Sequence, residues 1–147
     1  MCVLHIVLDT DQLDSIVGST KLPIYQVYKK GEKHKYRKNK VFDHNMISCD
    51  VSDKEWDDFE GQTKDMLAFL TKYHIELGSL RDNFKIIDWQ FDMPYYCRLT
   101  EELINQNNYL PAELLSLAGY FGIAINLSLY WPDQEEEKST RKKRINN

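Results

Sequence analysis

Five stretches of the chain distribute their apolar residues in the way that β-strands do. Residues 3–8 are apolar on both alternating faces, a pattern typical of a central strand that is buried on both sides. Residues 24–28 are rich in β-branched and aromatic side chains, and residues 41–51 end with apolar side chains at every second position, so both predict strands. Residues 85–93 and 123–131 alternate with a period of two, which predicts two further strands.

The longest helical pattern lies between the third and fourth predicted strands. Ser52 and Glu55 have the spacing of a capping box, in which each side chain accepts a hydrogen bond from the backbone of the other. Apolar residues then recur every three or four positions, which predicts an amphipathic helix. We expect this helix to end at Gly78, since glycine is the preferred residue just beyond a helix.

Two other stretches also have the helical period. A short helix is predicted after the aspartates at 9 and 11, with its end near Gly18. A longer one is predicted from Pro111, a residue favoured in the first turn, to Gly122. Residues 96–106 predict either a short helix or an irregular crossover.

The order of these elements predicts an α/β (α+β) fold. We expect a mixed or antiparallel sheet with the helices packed on one face, and a ferredoxin-like split βαβ arrangement is the favoured topology. Residues 1–132 are predicted to form a single globular domain, because a chain of 147 residues has the usual size of one domain. Residues 133–147 are almost entirely charged or polar and predict a disordered tail.

Composition favours a cytoplasmic protein. The apolar stretch near the start is too short for a signal peptide, and no run of residues has the length of a membrane span. Cys2, Cys49 and Cys97 are widely spaced and form no CxxC pair, so they predict free thiols in a reducing compartment.

The net charge of −4 conceals a strong asymmetry along the chain. Twelve of the 19 basic residues lie in two segments, with seven in 29–40 and five in 138–144. The stretch 41–137 holds 19 acidic and six basic residues, a net charge of −13. The sequence thus predicts two basic appendages on an acidic body.

The acidic body allows two interpretations. One is a solvated surface that keeps the protein soluble, and the other is an attraction for a basic protein, because complementary potentials accelerate association. For the second, the candidate partner-binding residues lie on the polar face of 85–93 and on the outer side of the long helix: Asp88, Gln90, Asp92, Asp57, Asp58 and Glu60.

The basic segment 29–40 also allows two interpretations. It is either a mobile loop whose lysines offset the acidic body, or a finger that contacts nucleic-acid phosphates and stacks an aromatic ring on a base. The candidate nucleic-acid-binding residues are Lys33, Lys35, Tyr36, Arg37 and Lys38. No zinc finger, helix-turn-helix or RNA-recognition motif accompanies them.

No catalytic constellation is present in the sequence. Phosphate-binding glycine loops, HExxH and GxSxG are all missing, so we expect no catalytic residue, no metal and no cofactor. Asp9, Asp11 and Asp14 form an acidic cluster that could hold magnesium, but helix capping and the helix dipole explain it without a metal and are the favoured interpretation. Cys49 with His44 is interpreted as a small buried residue near a histidine, not as a nucleophile with its base.

Two segments resemble a known bacterial family. The sequence YLPAELLSLA at 109–118 followed by GIAINLSLY at 122–130 is similar to the closing helix and strand of the domain-of-unknown-function family 4279. The sequence LPIYQVYKKG at 22–31 is similar to that family's segment with proline seven residues before Lys-Gly. The resemblance implies a small α/β domain without established enzymatic residues.

These observations favour a binding function over catalysis. Small acidic domains without an active site resemble, as a class, the immunity proteins that neutralise toxins by covering them. Our leading hypothesis is therefore an immunity-type inhibitor that binds a basic toxin domain, such as a nuclease, of a contact-dependent or polymorphic toxin system. The alternative is a nucleic-acid-binding accessory protein that uses the basic loop and tail.

Overall fold

Strands and helices follow each other in the computed structural model much as the hydrophobic pattern predicts. The structure describes residues 1–35 and 39–132. The strands are β1 (Cys2–Leu8), β2 (Ile24–Tyr28), β3 (Asn45–Ser52), β4 (Ile86–Tyr96) and β5 (Ala124–Tyr130). The helices are α1 (Leu13–Ser19), α2 (Phe59–Lys72), α3 (His74–Asn83) and α4 (Ala112–Phe121).

The five strands form one mixed sheet in the order β2-β3-β1-β4-β5. β1 runs antiparallel to both β3 and β4, and β2 runs antiparallel to β3. β1 and β2 are therefore parallel with β3 between them, and β3 and β4 are parallel with β1 between them. These two interleaved units are the predicted ferredoxin-like split βαβ arrangement. α4 then leads to β5, which adds a parallel strand beside β4.

The core lies between the helices and one face of the sheet. Leu4 and Ile6 of β1 and Phe91 and Met93 of β4 are fully buried in one cluster with side chains from all four helices. Full burial of one such side chain contributes roughly 1.5–3 kcal/mol. The prediction of helices packed on one face is therefore confirmed, and the opposite face of the sheet stays uncovered by them.

The start of the long helix was predicted six residues too early. Ser52 is the last residue of β3, where its Oγ accepts from the Lys54 amide at 3.2 Å and donates to Asp65 Oδ2 at 2.6 Å. Asp58 is the N-cap instead, and its side chain accepts from the Gly61 amide at 2.8 Å. Ser52 and Glu55 have the spacing of a capping box, but Ser52 stabilises the turn that follows β3 and does not cap a helix.

The long helix is also interrupted where the periodicity predicted continuity. The backbone of Tyr73 (φ −105°, ψ 22°) lies outside helical values, so the predicted helix divides into α2 and α3. Gly78 lies inside α3 and has no positive φ, so it does not end a helix. The Tyr73 ring packs on Phe69 at a centroid distance of 4.9 Å, which anchors the chain at the break.

The segment from β4 to α4 is irregular, and this agrees with the irregular crossover that was one of the two alternatives predicted for residues 96–106. β4 continues to Tyr96, three residues beyond the predicted end. The segment has no helical hydrogen bonds, and the Gln106 side chain bridges its backbone instead. Gln106 Oε1 accepts from the Arg98 amide at 2.7 Å, and Gln106 Nε2 donates to the Tyr96 carbonyl at 3.1 Å.

The basic segment joins β2 to β3 as a hairpin. A bridge pairs Lys33 with Val41, and the amide of His34 donates to the Lys40 carbonyl at 2.9 Å. β3 therefore begins at Asn45 and not at 41. Residues 36–38 and the predicted disordered tail at 133–147 lie outside the described residues. None of the described helices combines the length and the apolar character needed to cross a membrane.

Candidate partner-binding surface on the open sheet face

The uncovered side of the sheet is here called the open face, and strand register identifies its residues. Side chains alternate along each strand, and residues paired across neighbouring strands point to the same side. The central rows of the open face consist of Val3, His5 and Val7 from β1, Met46, Ser48 and Asp50 from β3, Asp88, Gln90 and Asp92 from β4, and Ala124, Asn126 and Ser128 from β5.

The charge of the open face has a single sign. The five described strands contain three aspartates and neither lysine nor arginine, and all three aspartates, Asp50, Asp88 and Asp92, lie on the open face. Asp50 and Asp92 pair with Val3 from either side, so their backbones lie about 9–10 Å apart. Asp88 lies about 13 Å along β4 from Asp92. The three carboxylates therefore form a triangle on one face of the sheet.

Asp92 is held in place by neighbours on β5. Its Oδ1 accepts from Ser128 Oγ at 2.8 Å and from Asn126 Nδ2 at 3.3 Å. The carboxylate is half-buried, whereas Asp50 and Asp88 are exposed. A carboxylate fixed in this way loses little conformational entropy when it meets a partner.

His5 lies at the centre of the open face, between Ser48 and Gln90 in the same row. Its Nδ1 is 2.8 Å from Ser48 Oγ, and Ser48 is 1% exposed. Burial lowers the pKa of His5 below its ordinary value, while the nearby charge of Asp92 acts in the opposite direction. The ring therefore adds no positive charge near neutral pH, and the face stays negative.

The predicted partner-binding residues divide between two surfaces. Asp88, Gln90 and Asp92 lie on the open face, as the alternation of β4 predicts. Asp57, Asp58 and Glu60 lie at the start of α2, on the helix-covered side, and the structure does not bring them together with the first three. The sequence could not show this separation, because it depends on which side of the sheet α2 packs.

The second set lines a cleft of about 580 Å³ between α2 and the irregular segment after β4. Glu60 is paired with Lys64 at 2.7 Å, and Asp58 is used as the N-cap. Across the cleft Arg98 donates to the Asn107 carbonyl at 3.3 Å and to Asn108 Oδ1 at 3.0 Å. Two cations therefore offset three carboxylates, and the cleft is a weaker attractor for a basic partner than the open face.

Asp50, His5 and Ser48 were missed as site residues. The prediction that 47, 49 and 51 share one face of a strand already places Ser48 and Asp50 on the other face, so alternation could have found them. What the sequence did not give was the pairing of β3 and β4 on either side of β1, which unites them with Asp88 and Asp92.

The basic hairpin stands at the β2 side of the sheet on an aromatic base. The rings of His34 and Tyr28 pack on Phe42 at centroid distances of 3.8 and 4.5 Å. Lys33 and Lys35 are exposed beyond this base. The other candidates, Tyr36, Arg37 and Lys38, lie outside the described residues.

The acidic cluster after β1 is engaged by lysines. Asp9 pairs with Lys85 at 2.7 Å, which lowers the pKa of that carboxyl, and Asp14 pairs with Lys29 at 2.8 Å. Among residues 1–35 and 39–132, no group of three or more histidine, cysteine or acidic side chains is arranged to hold a metal ion.

The thiols are buried. Cys2, Cys49 and Cys97 form no disulfide and have little or no exposed surface. Burial raises the pKa of both Cys2 and Cys49 to about 12, so these thiols stay protonated and weakly nucleophilic at neutral pH. The interpretation of Cys49 as a small core residue agrees with its place in the buried cluster.

Comparisons with protein-family models, with curated proteins and with solved structures found no significant match to this chain. The resemblance to the domain-of-unknown-function family 4279 therefore stays a prediction.

Proposed function

We propose that this chain is a binding domain, without catalytic activity, that docks a basic protein on its open face and neutralises it as an immunity-type inhibitor. The observation that carries the proposal is the open face itself, where the strands contribute three aspartates and no lysine or arginine on the side of the sheet that none of the described helices covers.

The composition of the open face suits a protein partner. Val7 lies beside Asp88 in one row of the sheet, with Met46 on its other side, and both are half-buried apolar side chains, while Gln90 offers hydrogen bonds. Interfaces of this kind combine packing with complementary charge, which accelerates encounter and rejects acidic competitors.

Inhibition follows from the chemistry of the expected partner. A nuclease or another nucleic-acid-directed toxin binds phosphates through lysines and arginines. An acidic sheet face that pairs with those cations occludes the substrate site without any reaction. This mechanism needs no cofactor, because inhibition depends only on complementary charge and shape.

The first prediction tests the open face by charge reversal. The triple variant Asp50→Lys, Asp88→Lys, Asp92→Lys should slow association with the basic partner about tenfold or more, because attraction becomes repulsion. The matched control Asp57→Lys, Glu101→Lys, Glu102→Lys makes the same change in net charge at exposed positions away from this face. It should retain at least half of the wild-type association rate.

The measurement begins with affinity capture from a lysate of the native cells, with wild type and both variants as bait. A basic protein held by wild type and control but lost by the open-face variant supports docking. That protein is then expressed alone in a bacterial host, where it should arrest growth, and co-expression of wild type should restore growth. Equal capture by the open-face variant rejects this face, and a captured protein without toxicity rejects the inhibitor function.

A second candidate function is nucleic-acid binding through the basic hairpin. The observation in its favour is the aromatic cluster of His34, Phe42 and Tyr28 at the base of the hairpin, together with the exposure of Lys33 and Lys35. This candidate ranks below the first because Lys29 of the same segment is already paired with Asp14.

The second prediction concerns nucleic-acid binding by the hairpin, measured by fluorescence anisotropy with short DNA and RNA at low salt. If the hairpin binds phosphates, alanine replacement of its cations should weaken binding and reduce the salt dependence, since each lost phosphate contact removes about one unit of slope. The replaced residues are Lys33, Lys35, Arg37 and Lys38, and the matched control replaces Lys21, Lys54, Lys64 and Lys72. Equal effects of the two sets, or no binding by wild type, contradict the hairpin function.

A further inference from the structure

The strand β5 leaves one of its edges open. It is the last strand in the sheet order, and among the described residues it pairs with β4 alone. The backbone amides and carbonyls on its outer side therefore point away from the sheet without a strand partner. Such an edge is a template for pairing with another chain unless the protein blocks it.

The other edge strand, β2, carries the usual protection and β5 does not. β2 has five residues, follows Pro23 and contains a register shift between Ile24 and Gln26. Short length, proline and bulges all discourage edge pairing. β5 has seven residues in unbroken register with β4 and contains no charged residue.

Large apolar side chains accompany the open edge. Ile125, Leu127 and Leu129 pair with Phe91, Met93 and Tyr95, so they point towards the helix-covered side. Yet Leu127 and Leu129 are 39% and 53% exposed, and Trp131 just beyond the strand is 73% exposed. An uncharged edge strand with exposed leucines is the signature of an interface.

We infer that a second copy of this chain occupies the edge, with the two β5 strands antiparallel about a two-fold axis at Leu127. Charge favours this position for a contact between copies, because two acidic chains repel each other least across an uncharged strip, and the sequence of β5 itself favours a second copy as the occupant. This edge adjoins the open face but does not include Asp50, Asp88 or Asp92, so dimer formation and partner binding can be tested by different variants.

The sequence of β5 is complementary to itself in this register. Leu127 faces its own symmetry mate, and Leu129 faces Ile125 of the second copy, so the apolar side chains meet on the helix-covered side. Asn126 faces Ser128 of the second copy on the open side. Directly opposed side chains in an antiparallel pair share one face, so the two sheets join into one of ten strands with a continuous open face.

The third prediction is a dimer in which β5 is the interface. Light scattering with size-exclusion chromatography on the full chain, from about 1 to about 100 µM, should give twice the chain mass of 17.4 kDa at the upper end, as expected for a small interface. Leu127→Lys places two cations face to face on the axis and should give the mass of one chain. The control Ile75→Lys alters a side chain on α3 that is 70% exposed, and it should remain a dimer.

A second measurement keeps the test independent of folding. In Leu127→Cys the two new thiols oppose each other across about 4.5–5.5 Å between Cα atoms, within disulfide reach, so mild oxidation with diamide should yield a covalent dimer. Ile75→Cys should not cross-link at the same concentration. Single-chain mass throughout the concentration range overturns the proposal, and so does a dimer that survives Leu127→Lys or fails to cross-link through position 127.

Discussion

Asp57 and Asp58 are adjacent and chemically identical, but the fold uses them differently. The Asp58 carboxylate accepts from the Gly61 amide at the first turn of α2, while the described residues give Asp57 no hydrogen bond or ion pair. Both were predicted as partner contacts from charge alone. The difference lies in backbone geometry, because Asp58 is the last residue before helical dihedrals begin.

The fourth prediction follows from this contrast. Asp58→Ala should lower the free energy of unfolding by about 1 kcal/mol, because it leaves an amide of the first turn without its acceptor. Asp57→Ala should change it by less than about 0.5 kcal/mol, as usual for an exposed side chain without partners. Urea denaturation followed by circular dichroism measures both, and equal losses would contradict the assignment of Asp58 as the cap.

At the scale of elements, the end of α4 joins three parts of the molecule. Gly122 adopts a left-handed backbone conformation (φ 76°, ψ 24°), which lets the chain turn from α4 directly into β5. Its carbonyl also accepts from Trp89 Nε1 of β4 at 2.9 Å. One glycine thus ends the helix, turns the chain towards the edge strand and accepts the hydrogen bond of a largely buried indole.

The fifth prediction compares two glycines of this region. Gly122→Ala should lower the free energy of unfolding by about 1–2 kcal/mol, because a side chain is strained at positive φ. Gly119→Ala should raise it by roughly 0.5–1 kcal/mol, because this position is helical and no atom lies within 4 Å of an added Cβ. Thermal or urea unfolding decides, and effects of equal sign would show that the local backbone is described wrongly.

The same elements show how far the sequence alone could go. Two elements lie where local sequence signals predict them. The alternation along 85–93 predicts β4, and the proline and glycine at the two ends of α4 predict that helix. The start of α2 was predicted wrongly, because the Ser52 hydroxyl is used by Asp65, a residue 13 positions away. A cap is a local motif only when no distant group competes for it.

For the whole molecule, the element order was sufficient for the topology but not for the site. Two βαβ units in one chain have few ways to share a sheet, so the split arrangement could be predicted. Whether Asp57 and Asp88 belong to one surface depends on the side on which the helices pack. The structure answers this by collecting the aspartates of β3 and β4 on the open face.

The distribution of charge over the surface also could not be predicted from the sequence alone. The count of −13 along 41–137 predicts an acidic body but not its pattern. In the structure, several carboxylates outside the strands have nearby cations, as in the pairs of Lys64 with Glu60 and Lys29 with Asp14. The strands themselves contain three aspartates and no lysine or arginine, so the carboxylates of the open face have no cation within the sheet.

Because the three thiols are buried, their rate of alkylation measures how often the surrounding strands separate. Cys2 begins β1, Cys49 lies in β3 beside it, and Cys97 directly follows β4. An alkylating reagent in solution reaches these sulfur atoms only when the surrounding strands part, so its rate of incorporation reports how often each strand opens. Three neighbouring strands can thus be timed separately in the unmodified chain, without any engineered probe.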